Sequence, residues 1–165
     1  MRAAAANLTP VTLELGGKSP TIVSESVDMD DAVQPIVFGK AFNAGQTCIA
    51  PDYVLCPANM VDDLKAQLKA AYKKSFPTLR NNNDYTAIVN ERQFNRLQGY
   101  LTDAQEKGAN IEALNNANED FIGTRKIPLT LVTNTTDDMV IMQDAAVSPI
   151  QAAVPQERLR PQGKH

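Results

Sequence analysis

The chain has 165 residues, 43% of them hydrophobic and 21% charged, with a formal net charge of −3. That is enough for one domain with a core, and the balance leaves no basic patch for nucleic acid and no polybasic membrane signal. No apolar run approaches bilayer length, and "MRAAAANLTPVTLELGG" at the N-terminus lacks the apolar stretch of a signal peptide. Two cysteines, Cys48 and Cys56, are too few for a disulfide framework and lack CxxC spacing, so reduced thiols, a cytoplasmic setting and no metal are expected.

In chain order, "VTLEL" (11 to 15) predicts a strand ending at Gly16-Gly17, and "PTIVSES" (20 to 26) a second one. Asp28 predicts an N-cap, and Val33, Ile36, Val37 and Ala41 at helical spacing predict a helix over 29–42. "DYVLC" (52 to 56) reads as a strand closed by Pro57. Asn59 then reads as the cap of a helix over 60–74, with Val61, Leu64, Leu68, Ala71 and Tyr72 as its apolar stripe. Residues 75 to 85 are turn-rich. The third helix, 91–107, has Asn90 as cap, Phe94, Leu97, Leu101 and Ala104 on its buried face, and Gly108 as terminator. "ANIEAL" and "IPLTLVTN" are further strand candidates around a polar loop at 115 to 125, and the chain from about Gln151 reads as a frayed tail. Alternating strands and helices predict an α/β fold, a three-layer sandwich with a parallel or mixed sheet.

"FNAGQTCIAPDY" (42 to 53) carries the chemical question, because Cys48 sits in a run of small and polar residues before a strand. A thiol needs help to become a thiolate, and the single histidine is His165, the last residue of the expected tail. A Cys–His dyad is therefore excluded, which leaves carboxylates or lysines as bases. Glu14, among Val, Leu and glycines at a strand end, is the notable carboxylate. The bland alternatives are an inert loop cysteine, a solvated Glu14 and a Cys56 that merely packs the core. "GGKS" at 16 to 19 is not a P-loop, since Thr12 stands where that motif needs glycine, and no GxGxxG occurs.

"LTPVTLELGGKSP" (8 to 20) followed by "FNAGQTCIAPDYVL" (42 to 55) resembles the two signature segments of the aldehyde dehydrogenase superfamily. The stretch at 72 to 109 is similar to the branch holding the coniferyl aldehyde, class 3 and fatty aldehyde enzymes. The resemblance implies oxidation of an aldehyde, aromatic or aliphatic, to a carboxylate, with NAD or NADP as hydride acceptor. Cys48 matches the catalytic cysteine that forms a thiohemiacetal and then a thioester. Glu14 matches the carboxylate that activates thiol or water, and Leu15 and Gly16 match the turn beside the nicotinamide. The family's "EIFGP" motif falls on Ala145 to Pro149, with Ala145 where the ribose-holding glutamate stands.

Family members are longer. The resemblance therefore implies that residues 1–19 hold the last strand and turn of an otherwise missing coenzyme-binding domain, and 20–150 most of a truncated catalytic domain, with 151–165 as tail. It also implies doubtful dinucleotide binding and little activity for this chain alone. The alternative reading is a catalytically dead remnant acting as a self-associating or interaction module, with a homo-oligomer as its possible form.

Overall fold

The structure is a computed structural model that describes residues 1–13, 16–144 and 149–155, the side chain of Pro155 excepted. A short helix α1 (Arg2–Ala5) precedes the edge strand β1 (Ser19–Ile22). Helix α2 (Met29–Ala41), strand β2 (Pro51–Cys56) and helices α3 (Val61–Ser75) and α4 (Glu91–Glu106) follow. Strands β3 (Asn110–Ala113) and β4 (Thr130–Thr133), the short helix α5 (Val140–Gln143) and strand β5 (Ile150–Pro155) complete the order. The five strands form one mixed sheet in the order β1-β2-β5-β4-β3. All neighbours are parallel except β3, which runs antiparallel to β4 at the edge.

The layers follow from strand alternation, because successive side chains point to opposite faces. On β4, Leu131 packs with α2 and α3 residues such as Val33, Ile36, Leu64 and Leu68. The next residue, Val132, joins Leu97, Tyr100 and Ala104 of α4 and Ile141 of α5 on the other face. The sheet thus lies between two helical layers, as the α/β sandwich expectation required.

Local chemistry accounts for the helix ends. The Asp28 carboxylate accepts from the Asp30 amide, and Asn90 Oδ1 accepts from the Gln93 amide, each satisfying an orphan donor of the first turn. Gly108, at φ 88°, ends α4 in the left-handed region that glycine adopts without a Cβ penalty.

Three expectations need correction. Residues 11–13 form no strand, and Glu14 and Leu15 lie outside the described residues. Asn59 does not cap α3: it sits inside a 3-10 turn (Ala58–Met60), and Met60 takes the cap position without a side-chain bond. Residues 151–155 are not a frayed tail but most of β5, which pairs with both β2 and β4. Residues 156–165, with His165, lie outside the described residues.

The loop from 76 to 90 has no helix or strand of its own, yet it is tightly tied. Glu119 accepts from the Leu79 and Arg80 amides at 2.6 and 3.0 Å. Lys126 Nζ donates to the carbonyls of Leu79, Arg80 and Asn82 at 2.8, 3.2 and 2.6 Å. Tyr85, buried, donates to Ile127 O at 2.7 Å. Lys126→Met removes the charged donor from three carbonyls at once. Charge-assisted bonds contribute about 1.5–3 kcal/mol each when singly removed, and water can recover part of this at a half-buried site. We expect a loss of about 2 kcal/mol in urea denaturation, and an unchanged midpoint would refute this account of the loop.

Candidate active site

Cys48 lies on the turn between α2 and β2. The backbone enters it through three successive left-handed residues, Asn43 (φ 51°), Ala44 (φ 52°) and Gly45 (φ 67°). Such a run is costly for residues with a Cβ and persists only where the surroundings over-determine it. Here they do. Ala44 is fully buried in the cluster around Ile88 and Leu97. Gln46 Nε2 donates to Asn43 O (3.0 Å) and Ala87 O (3.1 Å), while its Oε1 accepts from the Val89 amide (2.9 Å). Asn43 Nδ2 donates in turn to Gln46 O at 3.2 Å. The cysteine loop is therefore riveted to the tied 76–90 segment, and Cys48 itself is left exposed beyond the rivet.

The glycine turn approaches from the other side. Ser19 Oγ donates to Cys48 O at 3.2 Å, and a Cβ added to Gly17 would meet the same carbonyl at 3.8 Å. Gly16 adopts φ 96°, which only glycine takes readily. The two sequence segments singled out for chemistry are thus brought together through Gly17, Ser19 and Cys48. The structure leaves Glu14 and Leu15, and likewise Ala145 to Ser148, outside the described residues. Among the described residues no cluster of His, Cys, Asp or Glu could hold a metal ion.

Beneath the site, Asp52 on β2 is buried between two lysines. Lys18 Nζ is 2.6 Å from Asp52 Oδ2 and Lys40 Nζ 3.6 Å from Oδ1. Lys40 is 1% exposed, and burial lowers its pKa from 10.5 to about 8, against the attraction of Asp52 and with the repulsion of Lys18. Sequence reasoning missed this group. Lys40 falls on the buried face of α2 in the helical pattern, and that was the available signal.

Two clefts border the loop. One, of about 530 Å³, is lined by Val37, Phe38, Phe42, Asn43, Phe76 and Asp84 among others. Phe38 and Phe42 are 70% and 58% exposed, with ring centroids 5.8 Å apart. The other, of about 570 Å³, is lined by Gln46, Ile88, Asn90 and Arg96 among others.

Known proteins place this geometry. The profile described as "Aldehyde dehydrogenase family" matches residues 1–160. The chain belongs to the aldehyde dehydrogenase family. "Probable coniferyl aldehyde dehydrogenase" of Pseudomonas aeruginosa is 55% identical over 159 residues, 96% of this chain and 33% of that relative. "Aldehyde dehydrogenase family 3 member A2" of Mus musculus is 40% identical over 151 residues, 91% of this chain and 30% of its own length. This aldehyde dehydrogenase segment thus spans about a third of the curated relatives that it matches. Among solved structures, the substrate-bound state of Staphylococcus aureus AldH superposes with TM-score 0.81 at 38% identity, over 93% of this chain and 32% of that one. Betaine aldehyde dehydrogenase of the same organism, in complex with NAD+, gives TM-score 0.77 at 25% identity, covering 93% of this chain and 31% of that one. The α/β sandwich fold expected from the sequence agrees with these matches.

Cys48 is expected to alkylate faster than Cys56. The first is exposed on a turn, and the second is fully buried at the end of β2. Brief iodoacetamide treatment of the native chain and peptide mass spectrometry checks this, and faster labelling of Cys56 would contradict it.

Proposed function

We propose that this segment supplies the nucleophile and the substrate-facing wall of an NAD(P)-dependent aldehyde dehydrogenase acting on aromatic aldehydes. The observation that carries the reading is the convergence of the glycine turn and the riveted loop on Cys48. In this reading the Cys48 thiolate attacks the aldehyde carbon to form a thiohemiacetal, and the Cys48 amide donates to the developing oxyanion. Glu14, two residues before Gly16, serves as the base for the thiol or for the water that cleaves the thioester. The cleft beside Phe38 and Phe42 suits an aryl ring, since exposed aromatic rings offer large contact area and edge or offset stacking to a planar ligand. The Pseudomonas relative's name, with coniferyl aldehyde in it, agrees with that substrate class.

Gly16 and Gly17 fit a dinucleotide's need for close backbone approach, because neither carries a Cβ and Gly16 has positive φ. Among the described residues, no glycine-rich loop opens a helix where a pyrophosphate could rest. The dinucleotide, when bound, accepts the hydride. This segment contributes the thiol, the loop geometry and the substrate wall.

The test is a chimera in which residues 1–160 replace the matching third of the Pseudomonas aeruginosa relative. The chimera is expected to oxidise coniferyl aldehyde with NAD or NADP, read at the absorbance of the reduced nicotinamide. The 165-residue chain by itself is expected to give no such signal, since hydride transfer needs the dinucleotide held against the adduct. A folded chimera without turnover overturns the reading.

A further inference from the structure

We propose that Lys18 is a positioning residue that clamps the Cys48 turn to the end of α5, so that the backbone around Cys48 is held in the geometry acyl transfer needs. The proposal rests on the reading of Cys48 as nucleophile.

An ammonium has three N–H donors and no acceptor, and all three directions at Lys18 are accounted for by protein. Nζ donates to Asp52 Oδ2 at 2.6 Å, to Ile141 O at 2.6 Å and to Asp144 O at 3.5 Å. It also stands 5.7 Å from the centroid of the Tyr53 ring. These partners belong to different elements. Asp52 is the second residue of β2, four residues after Cys48. Ile141 lies in α5, and Asp144 is the residue that ends it. The carbonyls of a short helix's last turn have no intrahelical partner, so Lys18 takes up groups that would otherwise need water. Asp144 is held from its other side by the Tyr100 hydroxyl and, at 3.8 Å, by Arg96.

The neighbouring residue completes the linkage. Ser19 Oγ holds the Cys48 carbonyl, so the same dipeptide grips the cysteine turn with one side chain and α5 with the other. The side chain of Lys18 is only 20% exposed and Asp52 is 4% exposed, which makes the grip a partly desolvated one. Such charge-assisted bonds are short, directional and roughly twice as strong as neutral ones. If Lys18 is lost, Asp52 keeps Lys40 at 3.6 Å, and the bond to Ile141 O goes with the ammonium.

Two measurements on Lys18→Met separate positioning from simple stability, because Met keeps the apolar stem and deletes the donors. The first is amide hydrogen exchange. Exchange is expected to rise at least fivefold in peptides covering 46–52 and 140–144 together, with β3, β4 and α3 unchanged, and Lys18→Arg should restore most of the protection. The second compares two reactions of Cys48. Acylation by 4-nitrophenyl acetate needs a fixed oxyanion donor, whereas alkylation by iodoacetamide does not. Acylation is expected to fall about tenfold, less than the roughly hundredfold or more that deleting an oxyanion donor costs, because the Cys48 amide is loosened and not removed, with alkylation changed less than twofold.

Unchanged exchange in either segment, or a uniform rise across the sheet, overturns the clamp. An equal fall in both reactions overturns its catalytic consequence. If the wild-type chain does not acylate at all, the nucleophile reading fails, and the exchange pattern still decides whether Lys18 is a clamp.

Discussion

Cys48→Ala is expected to abolish acyl transfer to the chain and to reduce aldehyde oxidation by the chimera at least about a thousandfold. Where a catalytic nucleophile has been deleted from a protease, the loss was on the order of 10⁶-fold, and water attack assisted by the remaining site sets the floor. The substitution should leave the fold intact. Cys48 is exposed, and its backbone carbonyl, which accepts from Ser19 Oγ, is retained in alanine. Its turn is held by Gln46 and the buried Ala44, neither of which depends on the thiol. The thermal midpoint should therefore move by less than a few degrees while the covalent adduct disappears from the intact mass. A Cys48→Ala chain that still acquires one acetyl group from 4-nitrophenyl acetate at the wild-type rate would show that another side chain is the nucleophile. Cys56→Ala makes the opposite pair of expectations. Cys56 is fully buried in the cluster with Val54 and Leu131, so it should cost stability and leave acylation in place.

The parts of this molecule legible in its sequence are those governed by local rules. Asp28 and Asn90 could be read as caps because the interaction spans two or three residues, and Gly108 because a left-handed terminator needs no partner. Strand β5 escaped because a strand buried on both faces carries no period-2 alternation. "IQAAVP" is short, holds a Gln that is 1% exposed, and runs into a polar stretch. Asn59 misled for a similar reason. It is a good capping residue in the right place, but the chain spends one extra 3-10 turn before α3 begins, and no local signal distinguishes the two registers. In the candidate site, the two motifs were visible, but their joining was not. The Gln46 rivet spans 41 and 43 residues to Ala87 and Val89, and the Lys18 contacts span 34 to Asp52 and 123 to Ile141. Such contacts depend on the sheet order, which places β2 between β1 and β5, and no spacing rule encodes that.

Lys40 is expected to make stability rise with pH between about 8 and 10. In the unfolded chain its amine titrates at 10.5, and in the folded chain burial lowers this to about 8. Below pH 8 both states carry the charge, so the desolvation penalty is present in full. Between about 8 and 10.5 the unfolded chain binds more protons than the folded one, and stability therefore increases with pH. The gap of roughly two and a half pKa units corresponds to about 3 kcal/mol over the whole window. Its neighbours set how large the gap can be. Asp52 at 3.6 Å partly stabilises the charge, and Lys18, sharing the same carboxylate, opposes it. Two buried phenols limit the window from above. Burial pushes Tyr72 up to about 12, and Tyr85 is raised in the same direction by burial and by Tyr72. A raised phenol contributes stability that is complete below the unfolded pKa of about 10 and is lost above it. The two effects together predict a maximum near pH 10. Urea denaturation in reductant at pH 7.5, 8.5, 9.5 and 10.5 is expected to show an increase of about 1.5–2 kcal/mol up to the third point and a small decline after it. Lys40→Met should remove the rise and keep the decline, because it deletes the amine and leaves both tyrosines buried, while Asp52 retains Lys18 at 2.6 Å. A wild-type profile that is flat from pH 7.5 to 9.5, or a rise that persists in Lys40→Met, would mean that the amine is charged and hydrated in the folded chain.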